Sequence, residues 1–229
     1  RAAYSAYRER SLGLGAMGFH AYLQQNNIPF EGIFASGFNH KVFQHIKVRA
    51  TEASSRLAEE RGEAPDIGGS GMRNAHLLAV APNASSSIIC GGTSPSIEPY
   101  RANVYTHKTL SGSYQVRNKY LEKLLKSKGI KAKELESLWK DIAGHDGSVQ
   151  HLDILSDEEK EIFKTANEIN QIWVVEHAYK RQEFICQSQS VNLFFVLPKA
   201  TESQEVHDEY MQYVNDVHWY GANKLKSLY

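Results

Sequence analysis

Three consecutive serines, Ser85–Ser87, stand in the stretch "APNASSSIICGGTSPSIEP" (81–99), with Pro82 before them and Gly91 and Gly92 after. Hydroxyls and bare backbone are rare in a packed core, and they suit an anion. The apolar run "AHLLAVA" (75–81) leads into them with the length and boundaries of a buried strand. Pro82 ends that strand, and "SSSII" reads as the entry to a helix. Strand, turn and helix start in that order aim unpaired backbone N–H groups at the mouth of a sheet, where the helix dipole also favours negative charge. Ligands of open α/β sheets and α/β barrels sit at that end of the strands. The residues leave two readings open, an anion cradle and an N-capped surface loop. The stretch does not match the Walker pattern GxxxxGK[ST].

Other chemistry-bearing residues are less well placed. "GLGAMG" (13–18) satisfies Gly-x-Gly-x-x-Gly with Gly13, Gly15 and Gly18, but charged "RERS" stands where the preceding buried strand of a dinucleotide site belongs. Ten histidines include no HExxH, and His40 and His45, five apart, diverge on a helix, so no metal is expected. Cys90 and Cys186 form neither a CxxC motif nor a disulfide framework. Cys90 lies near the serines without an identifiable base, which favours a small apolar role over a nucleophile. Tyr229 ends an apparent strand and, by itself, is a packing aromatic.

These residues must be carried by ordinary elements. From Ser36 to Gly62, Val42, Ile46, Ala50, Ala53 and Leu57 step by three and four, an amphipathic helix with Ser36 as N-cap and Gly62 as stop. A helix with Phe19, Tyr22 and Leu23 follows the Leu/Gly alternation near residue 12. "ANVYTHKTLSGSYQVRN" (102–118) predicts a β-hairpin turning at Ser111-Gly112. Ser156 with Glu159, and Thr201 with Gln204, have the capping-box spacing. "SVNLFFV" (190–196) predicts another buried strand, and Leu225, Ser227 and Tyr229 alternate as a last one. Strand–helix alternation without a composition break gives the α/β class, one domain or part of one.

Charge and composition exclude several classes. Lys plus Arg and Asp plus Glu both number 26, so no net field draws the chain to nucleic acid or an acidic membrane. The Lys-rich run 123–134 is interrupted by leucines and reads as a solvated helix face. No stretch approaches the length of a membrane span, and no leader opens the chain, so a cytoplasmic setting is expected. The start "RAAYSAYRERS" and the end "KLKSLY" both read as cut.

Taken in order, "RERSLGLGAMGFHAYL" (8–23), "GMRNAHLLAVAPNASSSIICGGTSPSIEP" (71–99), "FICQSQSVNLFF" (184–195) and "KLKSLY" (224–229) resemble the C-terminal part of class I ribonucleotide reductase large subunits of the phage and bacterial aerobic type. The resemblance covers most of the chain, is most specific at 71–99 and is weakest between about 120 and 170. It implies that residues 1–229 are a C-terminal segment, incomplete at both ends, of a ten-stranded α/β barrel. Such barrels reduce ribonucleoside diphosphates to 2′-deoxyribonucleoside diphosphates by thiyl-radical chemistry.

The resemblance further implies that Asn83, Ala84, Ser85, Ser86 and Ser87 form the loop that binds substrate phosphates. One common version of that loop has Ser-Glu where Asn83-Ala84 stand, so any carboxylate role at 84 is lost while backbone donation is not. "KSLY" matches the run into a radical-relay Tyr-Tyr pair, making Tyr229 its first member. The radical cysteine and its neighbours belong upstream and the cysteine tail downstream; neither Cys90 nor Cys186 matches them. No cofactor is expected on this segment. A separate metal-containing small subunit supplies the radical, and ATP/dNTP effectors bind the amino-terminal part.

The implied partners are that amino-terminal part, the small subunit, a ribonucleoside diphosphate and, indirectly, a thioredoxin- or glutaredoxin-type reductant. Two rivals stand beside this reading, a non-catalytic binding module of the same fold and a stand-alone phosphosugar enzyme with a related barrel.

Overall fold

The computed structural model of the chain describes residues 1–110 and 112–226. Three extended segments, 12–14, 76–80 and 187–190, lie side by side and run parallel. The second is central. It bridges the first at Leu14–Leu78 and the third at Val80–Gln189. Leu14 N–H donates to Leu77 O at 2.8 Å and Ala79 N–H to Leu14 O at 3.1 Å, while Val80 N–H donates to Ser188 O at 3.1 Å. Parallel neighbours need long crossovers, and helices supply them here. The molecule is α/β, part of a barrel.

The first crossover holds α2 (Phe19–Gln25) and α3 (Ile33–Arg61), with α1 (Ala2–Glu9) ahead of the first segment. Gly32 and Gly62 cap α3, so it ends where expected and begins three residues before Ser36. Its buried residues are Ala35, Asn39, Phe43, Ser54 and Ala58, one position away from the apolar stripe read from the sequence. Two of the five are polar, so apolar periodicity found the edge of the buried face, where Ile46 and Ala50 pack against the core. Asn39 Nδ2 donates to His177 O at 2.9 Å on α8 (Gln171–Gln182), and the two helices pack together. This first core also contains Phe19, Leu23, Phe30, Leu77, Leu78 and Val80.

A second core lies in the excursion between the second and third segments. The antiparallel hairpin β1 (Val104–Thr109) and β2 (Gly112–Arg117) leads to α5 (Lys119–Ser127), α6 (Ala132–Gly144) and α7 (Asp157–Ile162). Thr109 pairs with Gly112, so Gly112 belongs to β2 and not to the turn, while Ser111 lies outside the described residues. Leu121, Leu125, Trp139, Ile142 and Val149 have no exposed surface. Ser156 and Glu159 complete the capping box at α7.

Buried amides fasten the two cores together. Asn118 Nδ2 donates to Gln24 Oε1 at 2.8 Å and to Asn103 Oδ1 at 2.9 Å. Asn103 Nδ2 donates to Gly147 O at 3.0 Å and Phe163 O at 2.8 Å. Such a network is stabilising only when complete, because an unpaired buried amide costs more than a made bond gains.

Two strand expectations fail. The third segment enters its ladder only through residues 187–190, and most of 191–196 is partly or well exposed rather than a buried strand. At the end, α9 spans Gln204–Lys226, so Leu225 is helical where an alternating strand was expected, and Ser227 and Tyr229 lie outside the described residues. A helix gains one hydrogen bond for each residue added, which outweighs a three-residue alternation. The bond at the start of α9 comes from Ser203, whose Oγ accepts from Val206 N–H at 3.4 Å, not from a Thr201 capping box.

Candidate functional site

The serine run forms a six-residue helix, α4 (Ala84–Ile89), beginning just past the carboxyl end of the central extended segment. Asn83 is the N-cap and takes a left-handed conformation, φ 51°. Asn tolerates that region better than most residues. Its side chain makes no capping bond. The N–H groups of Ala84, Ser85 and Ser86 are first-turn donors, which a helix cannot pair internally. All three residues are exposed.

Ser87 differs from its neighbours. It is buried, its Oγ donates to Ala84 O at 2.7 Å, and its N–H donates to Asn83 O at 3.0 Å. Both donors are spent within the turn. Of the five residues predicted to bind, Ser87 shapes the loop, while Ala84, Ser85 and Ser86 present donors outward.

The remaining serines of the stretch close another helix. Ser94 O accepts from Gly18 N–H at 3.0 Å, Ser94 Oγ from Ala21 N–H at 3.1 Å, and Ser96 O from Phe19 N–H at 3.3 Å. These are the orphan donors at the start of α2, the Ala21 N–H being capped from 73 residues away. His20 Nδ1 accepts from Tyr100 N–H at 2.9 Å, which requires a lone pair there. Burial pushes His20 down to about 3, so the ring is neutral. Burial also holds the Tyr100 phenol well above its usual range.

Two residues not singled out in the sequence converge on the same edge. Asn192, just past the third segment, donates through Nδ2 to the buried Glu98 carboxylate at 2.5 Å. This ties the end of the third segment to the loop after the second. The only sequence signal was the presence of a carboxylate in "SIEP" and an amide in "SVN".

The glycines of "GLGAMG" serve the sheet. A Cβ on Gly15 would stand 2.9 Å from the carbonyl oxygen of Ala79, so Gly15 permits the close approach of the first segment to the second. Cys186 Sγ accepts from the N–H groups of Leu77 and Leu78 at 3.0 and 3.2 Å, beside the same ladder. Cys90 is exposed, contrary to the small apolar role expected for it. Tyr229 lies outside the described residues. Among those described, no helix is long and apolar enough to cross a membrane. Asp141, His145 and His151, which the sequence reading did not group, come together in space on the far side of the second core's α6. Five residues separate the two histidines, and only the fold closes that gap.

Comparison with known proteins places this geometry. The family described as "Ribonucleotide reductase, barrel domain" matches residues 1–69 and 64–229. The ribonucleoside-diphosphate reductase large subunit of Invertebrate iridescent virus 3 is 45% identical over 232 residues, covering 100% of this chain and 35% of that protein. A putative large subunit from Frog virus 3 is 47% identical over 90% of this chain and 36% of its own length. Among solved structures, the Actinobacillus ureae class Id ribonucleotide reductase alpha subunit superposes with a TM-score of 0.77 at 42% identity, over 93% of this chain and 38% of that one. The chain spans about a third of the length of these relatives. It belongs to the ribonucleotide reductase barrel-domain family.

Proposed function

We propose that this chain is the C-terminal part of the barrel of a ribonucleoside-diphosphate reductase large subunit. It serves the reduction of ribonucleoside diphosphates to 2′-deoxyribonucleoside diphosphates. The observation that carries the reading is the start of α4, where three outward N–H groups meet two exposed serine hydroxyls at the carboxyl end of the central extended segment. The likeness to ribonucleoside-diphosphate reductase large subunits suggests the reaction, and the loop offers a place for its anionic substrate.

In this reading the N–H groups of Ala84, Ser85 and Ser86 and the hydroxyls of Ser85 and Ser86 donate to phosphate oxygens. Charge-assisted bonds of this kind are roughly twice as strong as neutral ones. The internal bonds of Ser87 keep the turn in shape before substrate arrives, which spares an ordering cost at binding. Anchoring the diphosphate fixes the ribose relative to the reacting sulfur, and positioning of that kind lowers a barrier without chemistry by the loop itself. The thiyl radical and its cysteine belong to the amino-terminal part, and the radical starts on a separate metal-containing small subunit. Tyr229 is the relay residue, a phenol able to release an electron and a proton together. The amino-terminal part, the small subunit and a dithiol reductant are the partners, in a cytoplasmic setting.

Binding of a ribonucleoside diphosphate to the full chain joined with its amino-terminal part tests the loop assignment. The reading expects weaker binding in the Ser85→Ala/Ser86→Ala double variant and little difference for the corresponding nucleoside. Equal loss for nucleoside and diphosphate would point away from a phosphate contact.

A further inference from the structure

A different part of the chain, independent of the reductase reading, gathers ligands for a metal. Asp141 lies in the last turn of α6, His145 is its C-cap, and His151 returns from the turn that follows. His151 Nε2 stands 3.0 Å from Asp141 Oδ2, while His145 Nδ1 stands 2.9 Å from the Asp141 carbonyl oxygen and 3.4 Å from its Oδ1. One ligand atom from each residue falls within 4.8 Å of the others. The two imidazole rings stack at 3.7 Å with 22° between their planes, so joint ligation of one ion requires one ring to turn about its side-chain bonds.

The backbone holding these side chains is fixed from behind. Trp139 and Ile142, on the opposite face of α6, have no exposed surface, and neither has Val149 in the turn. Gly147 has φ 82°, and a Cβ there would collide with Ala102. Its carbonyl accepts from Asn103 N–H at 3.1 Å and Asn103 Nδ2 at 3.0 Å. Ser148 N–H donates to His145 O at 2.9 Å, and Gln150 Nε2 reaches Lys160 O at 3.1 Å. The approach of His151 to Asp141 is therefore set by the fold and does not depend on a metal.

Charge favours a cation at the same point. The last turn of α6 carries Asp141 and no basic residue. A carboxylate at the negative end of a helix is electrostatically misplaced unless a positive charge faces it. Two imidazole nitrogens with one carboxylate oxygen are the donor set of zinc and its transition-metal neighbours. Calcium and magnesium ask for oxygen shells instead.

We propose that Asp141, His145 and His151 form a three-ligand site for a divalent transition metal of the zinc class, the fourth position being left to water. A metal held there ties the end of α6 to the following turn.

The test is a titration of the full chain, freed of metal by chelator, with Zn²⁺ followed by calorimetry and with Co²⁺ followed by visible absorption. One saturable site is expected. Its affinity should fall at least tenfold in Asp141→Asn and in His151→Gln, since outer-shell changes alone cost about 10- to 100-fold. His40→Gln, at a histidine paired instead with Glu183, should leave the affinity unchanged. None of the altered residues belongs to either core, and circular dichroism of each metal-free variant checks the fold. Absence of saturable binding to the unaltered chain would overturn the site. So would equal affinity in the His145→Gln/His151→Gln double variant.

Discussion

Gly15 lies so close to Ala79 that a Cβ on the former would meet the latter's carbonyl oxygen at 2.9 Å. Ala79 cannot retreat freely, because its N–H donates to Leu14 O in the ladder joining the first two extended segments. Gly15→Ala should therefore destabilise the chain by about 1–3 kcal/mol, the range for overpacking. Urea unfolding checks this. An unchanged midpoint would show that the ladder yields to a methyl group.

The amide network predicts a larger local effect. Asn103→Ala removes donors to Gly147 O and Phe163 O and an acceptor for Asn118. Each buried group left unpaired costs about 1–3 kcal/mol, so a loss of at least about 2 kcal/mol is expected. Hydrogen exchange should show protection falling in both cores, since the network joins them. Loss confined to the hairpin would contradict that coupling.

Two buried histidines set an acid limit. Burial pushes His20 down to about 3 and His177 down to about 4 from an unfolded value of 6.5. The folded state keeps both neutral while the unfolded state protonates them. Unfolding therefore takes up protons below pH 6.5, and the stability present above that value is lost as pH falls toward 4. Each histidine contributes a slope approaching about 1.4 kcal/mol per pH unit. Denaturation midpoints measured from pH 7 to 5 check the sign. Rising stability on acidification would contradict it.

At the loop, Ser85→Ala and Ser86→Ala together should raise KM for a ribonucleoside diphosphate by an amount equivalent to roughly 1–3 kcal/mol. Ser87→Ala should act differently. Its hydroxyl holds Ala84 O, so loss of the loop's shape, seen as lowered thermal stability, should accompany any change in KM. Steady-state kinetics with calorimetric melting separates the two.

Much of this architecture was legible from residue types. Gly62 stops α3, Ser156 with Glu159 starts α7, and the strand–turn–helix reading of 75–89 places the loop after a central extended segment. What escaped was hidden by physical causes. Asn39 and Ser54 sit on the buried face of α3 and bond across it, so apolar periodicity pointed one residue aside. A parallel strand takes its ladder from neighbours on both sides, and a one-chain pattern cannot say where 187–190 stops being paired. The metal-ligand grouping depends on a turn held by Asn103, 44 residues distant from Gly147. At the loop, the sequence could name five residues but not that Ser87 turns its donors inward.

The central claim is that this chain completes a reductase and supplies its phosphate loop. Its most direct test joins the chain with the amino-terminal part of the large subunit and the small subunit, then measures deoxyribonucleoside diphosphate formed from a ribonucleoside diphosphate. Turnover is expected only when the chain is present, with the Ser85→Ala/Ser86→Ala variant weakened chiefly through substrate binding and Tyr229→Phe inactive. Turnover without this chain, or full activity in both variants, would contradict the account.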